Sequence, residues 1–104
     1  MMSNTTLSYL SLSYTLSDDV AHRITETPEY FYELDVTCVD NPIYIGDGQI
    51  MSEYLNVGDT KTFKNVNARD ISIKNFTAGS NGGIVASGTT PNYLVKEKLG
   101  IYWE

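Results

Sequence analysis

Over residues 10–17 the chain alternates strictly. Leu10, Leu12, Tyr14 and Leu16 share one parity, and Ser11, Ser13, Thr15 and Ser17 share the other. A period of two describes a strand with one buried and one wetted face, and it is incompatible with an amphipathic helix. Leu7 and Tyr9 have the opposite parity, which predicts a bulge or register change near Tyr9-Leu10. The alternation returns over residues 29–40, after Pro28. There Tyr30, Tyr32, Leu34, Val36 and Cys38 read as the inward set and Glu33, Asp35 and Thr37 as the outward set, with Phe31 and Val39 interrupting the polar positions at either end. Clean alternation of this kind favours antiparallel pairing.

Turn chemistry divides the rest into short strands. Asp18-Asp19 reads as a turn before a short strand within residues 20–25. Asn41-Pro42 ends the long strand, because proline has no N–H for a ladder. Ile43-Tyr44-Ile45 resumes an extended path, Gly46-Asp47-Gly48 turns it, and residues 49–55 form another strand. Asn56-Val57-Gly58-Asp59 is a further turn. Residues 60–66 and 70–76 read as a strand pair across Asn67-Ala68-Arg69, with Ile71 and Ile73 facing the core. Residues 78–83 read as a glycine-rich hairpin tip before a short strand at Ile84-Val85-Ala86. The one helix candidate is residues 92–99, after Pro91.

Short strands with frequent turns are the mark of a sandwich or barrel. The expectation is an all-β chain: a small antiparallel β-sandwich, jelly-roll-like, with a less regular C-terminal tail. Residues 1–6 read as an N-terminal arm, 7–87 as the sandwich, and 88–104 as an extension that completes the sheet or contacts another subunit.

With 104 residues the chain has room for one modest core. Thirteen acidic against seven basic residues give a net charge of −6, scattered without runs. That balance argues against nucleic acid as a partner, since such affinity rests on lysine and arginine displacing counterions. The first residues carry no basic group and no unbroken apolar run, which argues against a secretory leader, and no stretch has membrane-spanning length. The sequons at Asn4 and Asn75 then read as chance matches.

Sites for chemistry are few. His22 is the single histidine and reads as an edge-strand residue rather than a general base. Cys38, the single cysteine, falls on an inward position and reads as a buried, inert thiol. Asp40, Asp47 and Asp59 lie in turns where calcium would find oxygens, yet the alternating spacing of a calcium loop is missing and turn formation accounts for them. The segment Gly79-Ser80-Asn81-Gly82-Gly83 lacks the lysine of a phosphate loop. The expectation is therefore no enzyme, no metal and no cofactor. The aromatics Tyr44, Tyr54, Tyr93, Tyr102 and Trp103 exceed what one small core needs. They suit a subunit contact or a sugar-stacking surface.

Residues 41–86 contain an ordered set of short motifs. Asn-Pro-Ile-Tyr-Ile-Gly at 41–46 is followed by Leu55, Val57-Gly58-Asp59, Thr60-Lys61-Thr62-Phe63, Ile71-Ser72-Ile73, and a glycine loop before Ile84-Val85. This order resembles a module of bacteriophage virion proteins, the small β-sandwiches of capsid decoration (cement) proteins and of tail or adhesion parts. It departs from that pattern at Asn67-Ala68-Arg69-Asp70, where a leucine-containing segment is expected. The resemblance implies a structural protein of the virion surface that binds major capsid protein subunits and stabilises the head. It implies a homotrimer made in the host cytoplasm, with Tyr93, Leu94, Ile101, Tyr102 and Trp103 as protein contacts. A carbohydrate- or receptor-binding module of tail or fibre is the alternative. A cupin-like enzyme would need several histidines.

Overall fold

The computed structural model describes residues 7–47 and 50–91. Eight strands follow in order: β1 (Leu7–Thr15), β2 (His22–Arg23), β3 (Tyr30–Val39), β4 (Ile43–Asp47), β5 (Ile50–Leu55), β6 (Thr60–Asn67), β7 (Ile71–Asn75) and β8 (Gly83–Pro91). A single 3₁₀ turn, Ala68–Asp70, lies between β6 and β7. The strands form two four-stranded antiparallel sheets, ordered β1-β8-β3-β6 and β2-β7-β4-β5.

The pairings follow one rule. β1 pairs with β8, β2 with β7, β3 with β6 and β4 with β5. The chain is one long hairpin, with its bend between β4 and β5, rolled up so that its arms supply both sheets. That is the jelly roll, and the expected all-β sandwich is the observed architecture. The two inner faces meet in a dry core: Leu34, Val36 and Ile84 from one sheet, Ile43, Ile45, Ile71 and Ile73 from the other, each at most 1% exposed. Leu16 and Ile24 close it from the connections, and Leu12 and Tyr14 pack against it from β1.

Several expectations need correcting. Phe31, not Tyr30 or Tyr32, is the inward residue at the start of β3; Phe31 is 2% exposed and the tyrosines 52% and 45%. The cause is non-local. Asn65 on the partner strand adopts φ +52, a left-handed conformation that interrupts the Tyr32–Asn65 step of the ladder and reverses the alternation there. Gly88 opposite makes room for the Phe31 ring, since a Cβ on it would lie 2.8 Å from Phe31 Cδ2 and 2.3 Å from the Glu33 carbonyl oxygen.

The bulge expected near Tyr9-Leu10 is absent. The β1–β8 ladder runs unbroken from Leu7 opposite Pro91 to Thr15 opposite Gly83, leaving no residue unpaired. The register shift lies instead between Ile45 and Asp47, and Gly46 is part of β4 rather than of the turn. The two expected hairpins at residues 67–69 and 78–83 are crossovers. β6 and β7 belong to different sheets, as do β7 and β8. Ala68, fully buried in the 3₁₀ turn, carries the chain across the core edge. Residues 88–91, the start of the extension expected to complete the sheet or contact another subunit, belong to the central strand β8. The helix expected at 92–99 lies outside the described residues.

Candidate contact surfaces

The roll gives the molecule two ends and two outer faces, each with its own chemistry. At one end the connections 16–21, 40–42, 56–59 and 76–82 gather. Asn75, the last residue of β7 and 4% exposed, joins two of them, 16–21 and 76–82. Its Nδ2 donates to the Asp18 carbonyl at 3.0 Å and to Asp19 Oδ1 at 3.1 Å, and its Oδ1 accepts the Gly82 N–H at 2.7 Å. Asp19 Oδ1 also accepts the Gly79 N–H at 2.9 Å. The Asn41 side chain donates to the Ser80 carbonyl, which ties the Asn-Pro turn to the glycine-rich loop. Gly82 has to be a glycine, because a Cβ would stand 2.5 Å from Ile43 Cγ2 and 2.6 Å from the Asn41 carbonyl.

Two carboxylates at this end, Asp18 and Asp19, have their anionic form favoured. The Gly79 N–H and the Asn75 amide lower the pKa of Asp19, and the His22 ring and the Val20 N–H lower that of Asp18. His22 sits on the edge strand β2. Its Nε2 lies 2.7 Å from Asp18 Oδ1, and its ring lies 5.9 Å from that of Tyr14. Cys38 is buried, its Sγ donates to the Asn41 carbonyl at 3.1 Å, and burial raises its pKa. Asp40 and Asp59 both lie near Cys38 at this end, whereas Asp47 closes β4 at the opposite end. Asp59 closes its own turn by accepting the Asn56 N–H at 2.9 Å. Among the described residues no three His, Cys, Asp or Glu side chains form a group able to hold a metal.

The outer face of β1-β8-β3-β6 is a lattice of hydroxyls and charges around one exposed apolar side chain, Val85 of β8. Thr37 and Thr60 Oγ1 atoms lie 2.7 Å apart across β3 and β6, and Thr62 donates to Asp35 at 2.6 Å. Ser11, Ser13 and Ser87 continue it over β1 and β8 as the wall of a shallow groove of about 610 Å³.

The outer face of β2-β7-β4-β5 carries aromatic rings. Because Ile43, Ile45 and Leu55 point inward, Tyr44 and its cross-strand partner Tyr54 must point outward. Phe76, one residue past β7, joins them: its ring is 4.6 Å from that of Tyr54 at 66° and 5.1 Å from that of Tyr44 at 55°. One edge-to-face and one tilted contact, both through Phe76, link the three rings. Tyr54 remains 47% and Phe76 45% exposed.

Of the aromatics singled out in the sequence, the structure thus brings Tyr44 and Tyr54 together. It adds Phe76, which lies just beyond β7 rather than within the expected strand 70–76. Parity contained the signal: with Ile71, Ile73 and Asn75 inward, Phe76 falls on the outer side. Tyr93, Leu94, Ile101, Tyr102 and Trp103 lie outside the described residues. Compared with protein-family models, with curated proteins and with solved structures, the chain has no significant match.

Proposed function

We propose that the protein is a non-enzymatic structural module of a virion surface, a decoration protein that docks on coat subunits through its β2-β7-β4-β5 face. The Tyr44–Tyr54–Phe76 cluster carries this reading. Three rings linked through Phe76, two of them about half exposed, form an ordered apolar surface on a small acidic domain. Tyrosine and phenylalanine are enriched at the centres of protein interfaces, where rigid rings bury large area at small entropic cost. The jelly roll supports the reading by analogy, since viral capsid domains use it; lectins and cupins do too, so fold alone decides nothing.

Two of the resembling motifs lie on this surface, whereas Thr60-Lys61-Thr62-Phe63 and Ile84-Val85 belong to the opposite sheet. Residues 41–46 form the β3–β4 turn and β4, which carries Tyr44, and Ile71-Ser72-Ile73 belong to β7 beside it. The test is co-sedimentation with shells assembled from the coat protein of the same virus. The wild type is expected to pellet saturably, and the double variant Tyr54→Ser/Phe76→Ser to bind at least about tenfold more weakly with its fold intact. Absence of saturable binding by the wild type overturns the proposal.

The same rings favour a second reading, a carbohydrate- or receptor-binding module, because exposed ring faces also stack on sugars. Saturable glycan binding by the isolated protein, lost in the same variant and unaccompanied by shell binding, would select it.

A further inference from the structure

We infer that β1 is a self-association edge, through which two copies pair antiparallel to join their β1-β8-β3-β6 sheets into one continuous eight-stranded sheet. A sheet edge presents unpaired N–H and C=O groups, and monomeric proteins protect such edges. Three of the four edges here are protected. β2 is only two residues long. β5 carries Glu53 opposite the inward Ile45, ion-paired to Lys61. β6 carries that lysine opposite the inward Val36, together with Lys64 and the left-handed Asn65. β1 has none of these devices. It is nine residues long, its ladder is free of bulges, and it contains no charged residue and no proline.

The backbone groups on that edge can be assigned. The Leu16 N–H bonds the Gly82 carbonyl at 2.8 Å, in step with the ladder that pairs Thr15 with Gly83. Antiparallel hydrogen-bonded pairs occur at every second residue. Even-numbered residues of β1 therefore bond β8, and the N–H and C=O groups of Ser11, Ser13 and Thr15 point away from it. They meet no partner among the described residues.

A second copy of the chain fits this edge in a specific way. A two-fold axis pairs residues of equal parity, so the outward Ser11 meets its own copy and Leu12 stays on the inner side. Centred on Ser11, the pairing uses the whole of residues 7–15 and makes about ten interchain backbone bonds. No like charges oppose each other. The inference uses only the edge and is independent of the virion reading, and it specifies a two-fold pair rather than the trimer that the resemblance implies.

Light scattering and amide hydrogen exchange on the full chain test it. The wild type is expected at twice its 11.6 kDa mass, with the amides of Ser11, Ser13 and Thr15 slowed about tenfold or more relative to a monomeric variant. Ser13→Pro removes an outward donor without touching the β8 ladder and is expected to give a folded monomer. Should that variant fail to fold, Ser11→Lys/Ser13→Lys places like charges across the two-fold at exposed positions and is expected to separate the copies. A wild type that stays monomeric at all concentrations overturns the inference, whether or not the three amides are protected by the chain's own segments. So does a trimer, or a dimer that survives the lysine variant.

Discussion

Each end of the roll is organised around one asparagine, Asn75 at the first, with Asn41 beside it, and Asn67 at the other, and the two do different work. Asn75 is buried and spends both donors and its acceptor on two connections, 16–21 and 76–82. Asn67, half-buried at the other end, uses Oδ1 alone. It accepts the Glu29 N–H and the Arg69 N–H, both at 3.1 Å, and so caps the 3₁₀ turn and holds the start of β3. Arg69 and Thr90 add single bonds to the carbonyls of Glu26 and Tyr30. One end is thus a network with a common node; the other is a set of separate contacts. Removing a node strands several groups at once, whereas removing a separate contact costs little more than that contact.

The largest effect is therefore expected at the node. Asn75→Ala leaves the buried Gly82 N–H without an acceptor and frees the 16–21 connection, which should cost about 2–4 kcal/mol by urea denaturation. Asn67→Ala should cost about 1 kcal/mol, the usual loss of a cap. Equal losses, or the reverse order, would break the contrast between the ends.

Acid should act on the first end selectively. Folding lowers the pKa of Asp19 below its ordinary value of 3.8, so its carboxylate contributes stability at every pH above 3.8. That contribution is lost as pH falls through the lower folded value. In urea melts from pH 6 down to about pH 2, Asp19→Asn should be less stable than wild type at pH 6. The two should converge in acid. A constant difference across the series would show that the charge contributes nothing.

The smallest effect belongs to the aromatic face. Phe76→Ser removes a half-exposed ring from outside the core, so stability should fall by no more than about 1 kcal/mol while binding through that face is lost. A loss as large as that of Asn75→Ala would make the rings part of the fold rather than a surface for a partner.

Much of this architecture was legible in the chain. Period-two alternation located β1, most of β3, and the inward Ile71 and Ile73, and Asn56-Val57-Gly58-Asp59 is the turn its residues specify, with Gly58 at φ +93. The crossovers were not legible. Turn residues report that the chain bends; whether the next strand lies beside the last or in the opposite sheet is decided by distant partners. Asn67-Ala68-Arg69 and the glycine loop both look like hairpin tips for that reason. Phe31 was misplaced on similar grounds, because the residue that reverses its parity, Asn65, lies on another strand. The aromatic surface was half legible: Tyr44 and Tyr54 stood out as surplus, while Phe76 needed the correct parity of β7.

The rolled hairpin also dictates how this domain meets a pull. Leu7 and Pro91 are direct neighbours across β1 and β8, at the same end of the molecule. Tension applied between them runs perpendicular to the strands, along the ladder's own hydrogen bonds, and opens them one pair at a time like a zipper. The same bonds loaded along the strands would have to yield together in shear. A domain joined to its surroundings through these two points would peel at low force, whereas one gripped by its faces would keep all its pairs in parallel.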